Sequence, residues 1–236
     1  MSGQDIAVGI LMLDTRFPRI PGDIGNPATF DFPVRHHRIR GASPDLVVRQ
    51  GARELLPLFV DGARVLESAG ARAITTSCGF LSRYQGELAA SVRVPVFTSS
   101  LLLVPLVERM LGRDQAVGIM TVDASALGRE HLAAAGIGPE ARVVVAGLET
   151  EREFTRVLVG DLPELDVEAA RAEHVRVSRR MLAEHPEIGA IVLECTNMPP
   201  YRDDIRAATG RPVFDITSLV RLVHDSMGGS VLPRRA

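Results

Sequence analysis

The chain has no lysine; all 27 of its basic residues are arginine. That absence excludes Schiff-base chemistry, and with it pyridoxal-phosphate enzymes of the usual kind and a Walker phosphate loop, which also needs a lysine. There is no excess of positive charge either: the net charge is -2, so nothing marks a surface for nucleic acid. Long hydrophobic runs are missing. The longest, "VPVFTSSLLLVPLV" at 94–107, is shorter than a bilayer span and is broken by Pro95 and Pro105. The N-terminus lacks a basic stretch before its apolar run, which ends at Asp14 rather than at a small-residue cleavage site, so the expected compartment is the cytoplasm. Neither Cys-x-x-Cys nor His-Glu-x-x-His occurs, and His131, His174 and His185 lack ligand spacing, so no metal is expected. Cysteine is scarce, with Cys78 and Cys195 alone, and in that compartment two thiols are reduced and free to react.

What is present is an alternation. Short runs rich in valine and isoleucine, at 6–13, 71–77, 94–99, 115–121, 142–148, 189–194 and 212–216, read as strands. Between them lie amphipathic helical stretches at 45–69, 101–111, 126–135, 166–185 and 201–208, so the class is α/β with mostly parallel sheets. The pattern also repeats. "AVGI" occurs at 7–10 and at 116–119, and "PVFTSSLLLVPLVERM" from Pro95 returns as "PVFDITSLVRLVHDSM" from Pro212. Cys195 lies 117 residues beyond Cys78, just as Pro212 lies 117 beyond Pro95. Two homologous lobes facing each other, one thiol from each, fit that register. The segment from Arg16 to Ser43, rich in proline and glycine and carrying Phe17, Phe30 and Phe32, fits no regular element and reads as a lid.

Each cysteine follows a strand and precedes a helix, the carboxyl edge where open α/β sheets bind ligands. A helix N-terminus there is expected to lower a thiol pKa and to attract a carboxylate. A thiolate facing a thiol is a base facing an acid, suited to removing a proton beside a carboxylate and returning it on the opposite face. Thr75, Thr76, Ser77, Thr196, Asn197 and the N–H groups after each cysteine are candidate donors to the developing enediolate. Arg16 reads equally as a clamp for a carboxylate or as a solvated residue at the start of the loop, while His36 and His37 beside Arg35 and Arg38 read as a solvated basic face, and "GDIGNP" at 22–27 as a turn.

These residues resemble the aspartate/glutamate racemase superfamily. "ECTNMPP" at 194–200 is similar to Gly-Cys-Thr-His-Phe-Pro of glutamate racemases through Cys195, Thr196 and Pro199, with Asn197 in place of histidine. "SCGF" at 77–80 is similar to a first motif, commonly Cys-Asn-Thr, at Cys78 only; Gly79 and Phe80 depart from it. "GILMLDT" at 9–15 resembles the N-terminal strand ending in Asp-Ser, and "GIMTVDA" at 118–124 its counterpart in the other lobe. The resemblance implies two pseudo-symmetric α/β lobes, 1–97 plus 214–236 and 98–213, with the active site in the cleft between them and no cofactor. It implies catalysis by Cys78 and Cys195, assisted by Asp14 and Asn197, and substrate contacts from Thr15, Arg16, Thr76, Ser77, Gly79, Phe80, Thr121 and Thr196. The expected activity is a pyridoxal-phosphate-independent racemase or epimerase of a small carboxylate such as aspartate or glutamate. A maleate-type isomerase or an arylmalonate-type decarboxylase on the same scaffold stands as an alternative, and a non-catalytic small-acid binding module as another. The expected partner is a small carboxylate, with neither nucleic acid nor membrane, and a homo-oligomer is allowed.

Overall fold

Strands β1 (Val8–Met12), β2 (Val34–Arg38), β3 (Ala73–Thr76) and β4 (Val96–Phe97) form a parallel sheet in the order β2-β1-β3-β4. Strands β5 (Ala116–Thr121), β6 (Val143–Gly147), β7 (Ile188–Leu193) and β8 (Val213–Phe214) form a second parallel sheet in the order β6-β5-β7-β8. The same order occurs twice, so the repeat seen in the sequence is a repeat of topology. In this computed structural model residues 6–51 and 53–228 are described; positions 1–5 and 229–236, expected at the ends of the first lobe, lie outside the described residues. Helices α1 (Pro44–Arg49), α2 (Leu56–Ser68), α3 (Gln85–Ala90), α4 (Val104–Met110), α5 (Arg129–Ala134), α6 (Phe154–Val159), α7 (Val167–Glu184), α8 (Arg202–Thr209) and α9 (Ile216–Ser226) flank the sheets.

The central strands β1, β3, β5 and β7 are buried at every position because helices cover both faces of each sheet, which is why they read as largely apolar runs, with threonine at the carboxyl ends of β3 and β5. The edge strand β2, "VRHHR", is partly exposed along its length. It pairs in parallel with β1 from Val8↔Val34 to Met12↔Arg38, inside the segment expected to be irregular. Its polar composition hid it: an edge strand needs a ladder on one side only and no apolar periodicity. The helix expected over 45–69 is two helices, because Gly51 takes a left-handed φ of 71° and Pro57 restarts the chain at the first turn of α2.

The last helix after each sheet crosses to the other. Helix α4, following β4, packs on β5, and α9, following β8, packs on β3. Asp215 starts α9 as its N-cap, accepting from Ser218 N at 2.9 Å, and is paired with Arg202 at 3.0 Å. Helix α6 is held at its start by Glu173 of α7, whose carboxylate accepts from the N–H groups of Arg152, Glu153 and Phe154 at 2.9, 2.7 and 2.8 Å. Among the described residues no helix is long and apolar enough to cross a membrane.

His174 of α7 is fully buried, edge-on to Phe154 at 4.4 Å and stacked on Tyr201 at 4.2 Å. Burial pushes its imidazole down to about 4. An unfolded chain takes up that proton near the ordinary value of about 6.5. The fold is therefore at full strength above that value, and acidification toward 4 draws it open by about 1.4 kcal/mol per pH unit at the steepest. Urea unfolding across this window should show a steeper acid loss for the parent than for His174→Phe; equal slopes would contradict the assignment.

Candidate active site

Cys78 leaves β3 in an extended conformation, φ -151° and ψ 117°, and the chain then turns into a 3₁₀ segment, Gly79–Tyr84. Cys195 follows β7 by two residues, ahead of the 3₁₀ segment Pro199–Tyr201. In both turns the residue three positions on donates back to the cysteine carbonyl, Leu81 N to Cys78 O and Met198 N to Cys195 O, each at 3.1 Å. The two thiols, 8% and 7% exposed, line one narrow cavity of about 30 Å³. Its wall is apolar: Leu13, Phe17 and Val48 come from the first half of the chain, Val122, Leu158 and Val159 from the second. Ser77, Gly79, Phe80, Glu194 and Asn197 complete it.

The hydroxyl groups expected to hold a substrate are engaged as braces. Thr196 Oγ1 donates to Ser77 O at 2.6 Å, tying the turn of one cysteine to the turn of the other. Ser77 Oγ accepts from Leu13 N at 2.9 Å, Thr75 Oγ1 donates to Phe97 O at 2.7 Å, and Thr76 Oγ1 donates to Thr98 O at 2.7 Å. Thr121 Oγ1 donates to Glu194 Oε2 at 2.7 Å.

Asp14 does not reach a sulfur. Leu13 turns into the cavity, so its neighbour points the other way, and the Asp14 carboxylate accepts from Gly41 N at 3.0 Å with Arg38 at 3.5 Å. Arg16 is no clamp in the cavity: its side chain is 74% exposed and paired with Asp161 at 3.0 Å. Asp161 Oδ1 also accepts from the N–H groups of Arg16 and Phe17, at 2.6 and 3.3 Å, which pins the loop and sets Phe17 against the cavity. Thr15 and Arg16 line a larger outer pocket of about 530 Å³ with Arg19, His36 and Arg38; Leu13 and Phe17 belong to both spaces.

Asn197 connects the second thiol to that loop. The Cys195 thiol lies 3.6 Å from Asn197 Oδ1, Asn197 Nδ2 donates to Asp23 Oδ2 at 2.5 Å, and Asp23 Oδ1 is paired with Arg19 at 3.1 Å. Asp23 also accepts from Gly25 N at 2.6 Å, and Arg19 reaches Thr15 Oγ1 at 3.0 Å while lying 4.3 Å over the ring of Phe17. Arg19 and Asp23 belong to no motif. Asp23 lies in "GDIGNP", whose composition is that of a turn, and only its burial beside Asn197 discloses it.

The lowered thiol pKa values expected at helix N-termini are not found. Burial pushes Cys78 up to about 12, reinforced by the nearby Glu194 charge and opposed by Phe80 N–H, Arg19 and Leu81 N–H. Cys195 is raised too, by burial first, then by Glu194, with Cys78 and Asp23 adding and Asn197 N–H opposing. Desolvation outweighs the few N–H groups a short 3₁₀ turn presents. Glu194 itself, fully buried, is raised to about 8 by desolvation against the Thr121 hydrogen bond. At neutral pH the unliganded cavity therefore holds two thiols and a largely protonated carboxyl. Among the described residues no three His, Cys, Asp or Glu side chains gather as a metal site would require.

Residues 40–220 match the family model described as Asp/Glu/Hydantoin racemase. The chain is 34% identical over 216 residues to a dimethylsulfoniopropionate lyase of Durusdinium sp. clade D, covering 89% of this chain and 71% of that protein. It is 31% identical over 222 residues to dimethylsulfoniopropionate lyase 7 of Emiliania huxleyi (strain CCMP1516), covering 90% of this chain and 64% of the relative. In structure it is similar to allantoin racemase from Klebsiella pneumoniae, with a TM-score of 0.64 at 14% identity over 98% of this chain and 95% of the other. It is also similar to a mutant of arylmalonate decarboxylase in a sulfate-associated form, with a TM-score of 0.62 at 20% identity over 98% and 97%. These structures show the racemase fold. The relatives above 30% identity are lyases, which overturns the expectation of a racemase or isomerase. The physical reason is that racemisation and β-elimination both begin with loss of a proton beside a carboxylate, so a pair of thiols is compatible with either. The fate of the resulting carbanion depends on whether the substrate carries a leaving group.

Proposed function

Because the chain belongs to the Asp/Glu/hydantoin racemase family and its 34% identical relative is a dimethylsulfoniopropionate lyase, we propose that it too is a lyase, releasing dimethyl sulfide from dimethylsulfoniopropionate. The observation that supports a chemical role is the placement of both sulfurs on one narrow, apolar cavity. Cys78 is the base. Its thiolate is favoured by two N–H groups and by Arg19, whereas Cys195 has one N–H group in its favour and Asp23 against it. The Cys78 thiolate takes the proton from the carbon beside the carboxylate. The C–H electron pair becomes the new C=C bond, and the bond from the next carbon to sulfur breaks, its pair leaving on sulfur. The products are neutral dimethyl sulfide and acrylate, and the proton rests on Cys78 until solvent removes it.

The substrate assists its own base. Its sulfonium carries a fixed positive charge into a cavity where desolvation strengthens Coulomb attraction, and that charge favours the thiolate. Arg19, whose Nε has no hydrogen-bond partner among the described residues, is the cation nearest in chemistry to what the substrate carboxylate needs. Mixing the protein with dimethylsulfoniopropionate and measuring headspace dimethyl sulfide and dissolved acrylate tests the reading. One-to-one release is expected. Since the free thiol is protonated at neutral pH, kcat/KM should climb from neutral into alkaline pH as the basic form is populated. No release, or a profile that falls over that range, would contradict it.

A further inference from the structure

Glu194 is 0% exposed, directly after the carboxyl end of β7 and beside Cys195, and it lines the cavity the two thiols share. One of its oxygens, Oε2, is held by Thr121; the other, Oε1, is buried without a hydrogen-bond partner among the described residues. That is a costly arrangement for a carboxyl group, and no structural brace depends on the second oxygen. Gly79, the residue after Cys78, makes the room: a Cβ there would overlap Glu194 Oε1 and the Glu194 carbonyl oxygen. The space between the two cysteine turns is thus shaped around a carboxyl oxygen that has nothing to bind.

We propose that Glu194 is the specificity-determining residue for an onium group, its Oε1 receiving the cationic head of the substrate while the carboxylate end points outward to Arg19. This rests on the lyase reading and adds to it the polarity in which the substrate lies. The outer pocket carries Arg16, Arg19, His36 and Arg38, which suits a carboxylate; the inner cavity carries Glu194, which suits a cation. Phe17 and Phe80 also line the inner cavity, aromatic neighbours suited to an onium group. An inward onium leaves the carbon beside the carboxylate between the two poles, where the thiols are. Burial keeps Glu194 largely protonated at neutral pH, so the arriving cation is what holds it ionised.

Binding of two unreactive probes tests this by calorimetry without turnover. One is β-alanine betaine, a trimethylammonium carboxylate; the other is 4,4-dimethylpentanoate, its isostere with an uncharged tert-butyl head in place of the ammonium and the same carboxylate. The parent protein is expected to bind the betaine at least about tenfold more tightly. Glu194→Gln, of the same size, should lose that preference through weaker betaine binding, with the isostere unchanged. Equal affinities in the parent, or an undiminished preference in Glu194→Gln, would overturn the proposal. Should the variant fail to fold, the parent comparison still decides. Failure of the lyase reading looks different: the betaine preference persists while no dimethyl sulfide is released.

Discussion

Replacing Cys78 by serine should lower kcat/KM for dimethyl sulfide release by about 100- to 10,000-fold, the range of a positioned general base. The sulfur and oxygen side chains are nearly the same size, and the site is 8% exposed with its backbone fixed by the Leu81 and Thr76 hydrogen bonds, so unfolding should be little affected. What changes is acidity. A serine hydroxyl is a far weaker source of anion than even a thiol raised to about 12, and the N–H groups of Phe80 and Leu81 cannot make up the difference. Cys195→Ser should cost less, because a hydroxyl still donates to Asn197 and the base is intact. Full activity in Cys78→Ser would remove the base from the mechanism; a larger loss in Cys195→Ser would move it to the other lobe.

Asp23→Ala should destabilise the protein by about 3–5 kcal/mol, as expected when one partner of a buried ion pair is removed. The side chains of Asp23 and Arg19 are 3% and 13% exposed. Among the described residues, the guanidinium without the carboxylate keeps Thr15 Oγ1 and the Phe17 ring, Gly25 N–H loses its acceptor, and Asn197 Nδ2 is left buried with none. The same change frees the loop that closes the cavity, so dimethyl sulfide release should fall together with stability. Urea titration monitored by far-UV circular dichroism reads the first effect; a loss under about 1 kcal/mol, the scale of an exposed pair, would show that the network is solvated.

The parts of the fold legible in the sequence were those whose physics is local. A strand covered on both faces is rich in apolar residues, so β1, β3, β5 and β7 stand out, and the matched spacing of the two cysteines exposes the duplicated topology. The strand β2 did not stand out, because an edge position allows Arg35, His36, His37 and Arg38. Around the site, Cys78, Cys195, Ser77, Gly79, Phe80 and Asn197 meet at one cavity, all lying within two residues of a cysteine on strands the repeat had already aligned. Asp14 and Arg16 point elsewhere, toward Gly41 with Arg38 and toward Asp161, partners distant in sequence that no motif announces. Arg19, Asp23 and Glu194 went unassigned for the same reason. Glu194 had one visible signal: it stands where the glutamate-racemase motif carries glycine, an acid set into a buried strand end beside a thiol. The direction of the thiol shifts is not legible because a sequence shows the helix start after each cysteine and not the depth at which the sulfur is buried.

The most direct test is to follow dimethylsulfoniopropionate in deuterated water by proton NMR with the purified protein. The account predicts vinyl signals of acrylate growing in step with dimethyl sulfide as the substrate disappears. Substrate that gains deuterium beside its carboxylate and yields no acrylate, or that stays unchanged, would contradict elimination at the two-thiol cavity.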